Sequence, residues 1–142
     1  MTSTRFVPAA LILAAVFAMF SNSATAADKE SRFFELRTYT TNPGKLEALK
    51  KRFRNDTNRI FKKHGMQIVG FWTPVDGDEA KNTLVYMLAY PSREAREKSW
   101  KAFIADPEWQ KAYKQSHVDA GGKIVIKVVN KFLTPTDFSP IQ

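Results

Sequence analysis

The sequence predicts an α+β domain in which strands and helices follow one another as βαββαβ. Three observations carry that reading. Residues 46–64 and 93–105 have the three- and four-residue apolar spacing of amphipathic helices. Four other segments are rich in Val, Ile, Phe, Tyr and Trp and are bounded by Gly, Pro, Asn and Asp. Each helical segment lies between two of these, and the middle pair is joined by a short turn-rich link, so the strands can form one antiparallel sheet.

Residues 1–26 precede the first strand and read as a secretory leader. Arg5 is followed by an apolar run over 9–20, a polar Ser21-Asn22-Ser23, and Ala24-Thr25-Ala26 as a small-x-small cleavage site. The run is short for a membrane span. The expectation is cleavage after Ala26, a single domain over 27–142, and a periplasmic or secreted location; a retained anchor is the alternative. The absence of cysteine excludes disulfides, thiolate nucleophiles and Cys-based metal centres, and an exported chain without disulfides suits a bacterial periplasm. The net charge of +8 favours anionic surfaces or ligands, while export argues against nucleic acid as a partner.

The first strand is "FFELRTYT", residues 33–40. Alternation puts Phe34, Leu36 and Thr38 on one side and Phe33, Glu35, Arg37 and Tyr39 on the other. Asn42-Pro43-Gly44 turns the chain into the first helix, whose apolar stripe is Leu46, Leu49, Phe53, Ile60, Phe61 and His64, closed by Gly65. Its opposite side carries Lys45, Lys50, Lys51, Arg52, Arg54, Arg59, Lys62 and Lys63. That side reads as a solvated cationic face; contact with an anionic membrane surface is the functional alternative.

The second strand, 66–73, offers Ile68 and Trp72 to one side and Val69 and Phe71 to the other. "PVDGDEAKN" links it to the third, 83–90, which offers Leu84, Tyr86 and Leu88 against Val85 and Met87. Ser92 caps the second helix, and Asp106-Pro107 starts a short further one that sets Trp109 and Tyr113 on one face. "HVDAGG" then breaks the helical pattern before a fourth strand over 123–133, and the irregular tail has Phe138 as its candidate anchor.

This order is that of a ferredoxin-like unit, with both helices on one face of the sheet. Strands two and three are apolar on both faces, and such strands are covered on both. The second cover is expected to be another copy of the chain, so that two sheets meet as a dimeric α/β barrel and Glu35 and Arg37 are at least partly buried.

Glu35-Leu36-Arg37-x-Tyr39, Pro43-Gly44-Lys45, Gly70-x-Trp72, Asn82, Asp106-Pro107-x-Trp109 and Phe138-Ser139-Pro140 are similar in order and spacing to the NIPSNAP domain, over about Phe33 to Pro140. The resemblance implies the dimeric α/β-barrel superfamily, and the single domain, where many members carry two in tandem, implies self-association. The link between strands two and three departs from the family's shorter pattern, which leaves a loop acid there without an assigned role.

Phosphate-loop, nucleophile-elbow and H-E-x-x-H motifs are absent, and His64 and His117 lack ligand-spaced partners, so neither a metal nor a cofactor is expected. His64 reads as a packed helix-end histidine, and His117 as a residue at a pocket mouth. Glu35 and Arg37, two apart on one face, read either as a buried pair that sets strand register or as the polar spot of a ligand pocket, with Arg37 on an anionic group and Tyr39 stacking or donating. Trp72, Tyr86 and Trp109 read as core or as aromatic pocket wall. Two functions follow. One is a homodimeric binding module for a small apolar or anionic aromatic molecule. The other, implied by the superfamily, is a cofactor-independent monooxygenase or isomerase acting on an aromatic substrate in the barrel pocket.

Overall fold

The computed structural model describes residues 32–141. The leader, its cleavage site and the start of the domain at Ala27 lie outside the described residues. Strands β1 (Phe33–Thr41), β2 (Gln67–Trp72), β3 (Thr83–Tyr90) and β4 (Val125–Leu133) form one antiparallel sheet in the order β2-β3-β1-β4. The predicted ferredoxin-like α+β fold is therefore the observed one. The charged strand β1 is central, flanked on both sides, and its Glu35, Arg37 and Tyr39 face the helices opposite Leu88, Tyr86 and Leu84.

Between β1 and β2 the chain is helical from α1 (Leu46–Arg52) through a π-helical turn (Phe53–Thr57) to α2 (Asn58–Lys63). The apolar stripe is buried as expected, and Gly65 ends the run at φ +74°, a conformation that suits a residue without Cβ. Arg52 departs from expectation. The charge pattern puts it on the solvated side, yet it is buried beside Leu49 and Phe53, where the π turn begins. Other cations of that side are paired at the surface: the half-buried Lys50 with Glu47, and the exposed Lys63 with Asp106 and Glu108.

Strand β2 corrects a second expectation. A bulge between Ile68 and Gly70 places Ile68 opposite Leu88 and Phe71 opposite Tyr86, so both face the helices although simple alternation separates them. Trp72 pairs with Val85 on the open face and is half exposed. Its ring lies over Gly70, where a Cβ would come within 2.8 Å of the indole. Gly70-x-Trp72 is thus a packing unit.

Ser92 caps α3 (Arg93–Ala105) by accepting from the Ala95 N–H at 3.1 Å, and Asp106 caps α4 (Pro107–Asp119) by accepting from the Glu108 N–H at 2.8 Å. Helix α4 is longer than the sequence pattern indicated, because His117, Val118 and Asp119 continue it before Gly121 and Gly122 turn the chain. Its C-terminal end is held to the start of α1 by the Lys45 ammonium, which donates to the Ala120 carbonyl. In the tail, Phe138 is 83% exposed and anchors nothing.

The core lies between the helices and the sheet, around Phe53, Phe61, Tyr86, Leu88, Trp100 and Phe103. The other face of the sheet presents Leu36, Val85 and Met87 half buried, with Trp72, Val129 and Leu133 exposed at its margins.

Candidate functional site

Glu35 is fully buried and would be costly as an isolated carboxylate. It is instead fully occupied. Arg37 Nη1 and Arg96 Nη2 each donate to Oε1 at 2.7 Å, while Arg96 Nε, Trp100 Nε1 and the Tyr90 hydroxyl donate to Oε2 at 3.1, 2.8 and 3.3 Å. Burial alone would raise the Glu35 pKa. The hydrogen bonds from Arg96, the Arg37 charge and the Trp100 N–H outweigh it and hold the carboxyl below its ordinary value.

Arg37 passes this knot on toward a cavity. Its guanidinium lies 4.2 Å above the Trp100 ring, and Nη2 donates to the Tyr39 hydroxyl at 3.1 Å. The Tyr86 hydroxyl donates to the same oxygen at 3.0 Å. Burial first, and then Tyr39, raises the Tyr86 pKa well above the usual phenol range, so Tyr86 remains a neutral donor. With Arg37 and Tyr86 both donating to the Tyr39 oxygen, its O–H is left available to donate elsewhere.

Tyr39 faces a cavity of about 240 Å³ between the helix layer and strands β1 and β4. Its walls are aromatic on the helix side (Phe53, Phe61, Trp100, Phe103, Trp109 and Tyr113) and aliphatic toward β4 (Val125 and Val128). Three polar residues interrupt that lining: Tyr39, Arg52 and Thr57. Two of these come from the π turn and its entrance, where the Thr57 hydroxyl donates to the Arg52 carbonyl at 3.3 Å. A π turn inserts one extra residue per turn and so re-aims the side chains around it. Here it brings Arg52, Phe53 and Thr57 together onto one cavity.

Of the residues singled out from the sequence, Tyr39 and Trp109 line the cavity, and Tyr86 and Arg37 stand directly behind Tyr39. Glu35 is one step further back. Trp72 is elsewhere, on the border of a separate cleft of about 310 Å³ with Lys50, Arg54 and Phe71. His117 sits on the last turn of α4 with its ring 4.3 Å from that of Tyr113, outside the lining. Burial, then Arg52 and Lys123, lowers its pKa. His64 meets Asp106 at 2.7 Å, a carboxylate from another element that sequence spacing does not reveal.

Sequence reasoning missed Arg52, Thr57 and Trp100 as site residues. Arg52 did carry a signal, since it follows the buried Leu49 by three positions on the same helix face. Trp100 carried none, because its role depends on Glu35 lying opposite it across 65 residues of chain.

With this geometry in place, comparison with known proteins gives a family and a fold. The NIPSNAP family profile matches residues 34–140. A NIPSNAP family protein of unknown function from Agrobacterium tumefaciens is 26% identical, with 80% of this chain and 96% of that one aligned at a TM-score of 0.68. A NIPSNAP-like domain protein from Burkholderia xenovorans is 22% identical, with 78% and 90% aligned at 0.67. SnoaB from Streptomyces nogalater, described as a cofactor-independent oxygenase, shares the fold at 12% identity, with 78% and 98% aligned at 0.52. Among curated proteins, none matches this chain.

Proposed function

The chain belongs to the NIPSNAP family, and from that premise we propose that it is an exported, homodimeric binding protein for a small, largely apolar molecule. The observation that carries this reading is the aromatic cavity with the Tyr39 hydroxyl held in its wall by Arg37 and Tyr86. Such a site orients a ligand through one or two polar contacts and takes its affinity from apolar burial. A cavity of about 240 Å³ has room for a single ring or a short chain. The open, apolar face of the sheet supports the dimer, since a second copy would cover it.

An oxygenase reading uses the same cavity. SnoaB, described as a cofactor-independent oxygenase, shares the fold, and that likeness supports this second reading. The lining, however, offers an arginine, two tyrosines and a threonine, with neither a carboxylate nor an imidazole to act as a base at neutral pH. Binding without reaction is therefore the preferred function. Native mass spectrometry of the protein purified from its own host, without denaturation, is expected to find a single-ring or short-chain molecule on a dimer. Consumption of oxygen on adding that molecule would replace binding by catalysis. A protein that carries nothing and takes up no small aromatic compound would remove both readings.

A further inference from the structure

Two arginines are buried beside this cavity, and they are treated differently by the fold. Arg37 is 8% exposed and meets Glu35 at 2.7 Å. Arg52 is 5% exposed, and among the described residues it has no carboxylate within ion-pair distance. Its Nη1 donates to the Ser116 hydroxyl at 3.3 Å, its guanidinium lies 5.4 and 5.2 Å from the Trp109 and Tyr113 rings, and its Nε has no acceptor. A buried guanidinium with an unused donor is unfavourable unless an anion completes it.

Resting on the reading that the cavity holds a small molecule, we propose that the ligand is a monocarboxylate of single-ring or short-chain size and that Arg52 receives its carboxylate. The apolar part would then lie among Phe53, Phe103, Trp109 and Val128, with Tyr39 free to donate to a second ligand oxygen.

Arg52 also borders a second concavity, a groove of about 420 Å³ between α1 and α4. That groove already contains three carboxylates, Asp56, Glu108 and Asp119, against the ammonium groups of Lys51 and Lys111, so no excess of positive charge there draws an anion. The inner cavity has Arg52 as its one formally charged lining residue. An anion is therefore attracted inward. The π turn supplies the geometry, since Arg52 is its N-terminal boundary and Phe53 and Thr57 face the same space.

The test uses benzoate, phenylacetate and hexanoate, each paired with its primary amide, and reads tryptophan emission, because Trp100 and Trp109 line the cavity. Wild-type protein is expected to bind at least one acid about tenfold or more tighter than its amide. Arg52→Met is expected to bind acid and amide alike, with the amide near its wild-type affinity. Its melting temperature without ligand should be unchanged or higher, because an unpaired buried charge has been removed. Equal binding of acid and amide by the wild type would overturn the role of Arg52 and leave the cavity as an apolar site. Failure of acids, amides and toluene alike to alter the emission would remove the cavity reading, and this proposal with it. Arg52→Met that melts lower and loses both ligands would assign Arg52 to structure. If that variant does not fold, Arg52→Lys and the wild-type comparison decide.

Discussion

Arg96 grips both oxygens of Glu35, with Nε 3.1 Å from Oε2 and Nη2 2.7 Å from Oε1. This two-pronged bond runs from α3 to the central strand and joins residues 61 apart in the chain. Trp100, one turn further along α3, adds its indole N–H to the same carboxylate. The contact fixes where α3 lies on the sheet, and so where Trp100 and Phe103 stand in the cavity wall.

Removing the Glu35 charge should therefore destabilise the protein strongly. Glu35→Gln leaves Arg37 and Arg96 without their anion, and a loss of about 3–5 kcal/mol is expected in urea unfolding. Arg96→Met should also destabilise. The double variant should fall short of the sum of the two losses, because the partners form one network. Additive losses would show that the two residues act independently.

The same carboxylate predicts a pH dependence. Its folded pKa lies below the ordinary 4.5, so the unfolded chain binds the extra proton first as pH falls. The stability it contributes is complete above about pH 4.5 and is lost as pH drops through the lowered folded value. Wild type should lose stability more steeply in acid than Glu35→Gln. Parallel curves for the two proteins would contradict this.

Tyr39→Phe keeps the ring against Phe53 and Tyr86 and removes the oxygen that accepts from Arg37 and Tyr86. Two buried donors lose their acceptor, which is expected to cost about 1–3 kcal/mol in chemical denaturation. Binding of small aromatic compounds should weaken without being abolished, because the apolar walls remain.

The open sheet face yields a test of assembly. Sedimentation at micromolar concentration should give a dimer, and Met87→Lys, at the middle of that face, should give a monomer. A wild-type monomer that is stable and soluble would mean that the face needs no second copy.

Gly70→Ala probes the packing of Trp72. The new methyl would come within 2.8 Å of the indole, whose outer edge is free to swing away because the residue is half exposed. The expected cost is small, below about 1 kcal/mol. The visible change should be a red-shifted emission as Trp72 enters water. A loss much larger than this would show that the ring position supports the sheet itself.

Much of this protein was legible as text. Apolar periodicity, the Ser92 and Asp106 caps and the Gly65 stop located the helices, and the doubly apolar strands located the sheet, because these signals arise between residues a few positions apart. The alternation of β1 likewise put Glu35, Arg37 and Tyr39 on one face by sequence alone.

What the text could not supply depended on a shift of phase or on distance. The bulge in β2 changes the phase of its repeat by one residue, which carried Ile68 and Phe71 to one face, and Arg52, at the mouth of the π turn, lay among cations whose pattern reads as a solvated face. The partners of Glu35 lie on a helix whose placement follows from packing, and no local pattern encodes which of several arginines arrives there. Thus the sequence determined the elements, their order and the polar face of the central strand. Only the tertiary structure decided which buried arginine met a carboxylate and which was left facing an apolar cavity, because burial without a counter-charge is a property of the packed molecule and of no single segment.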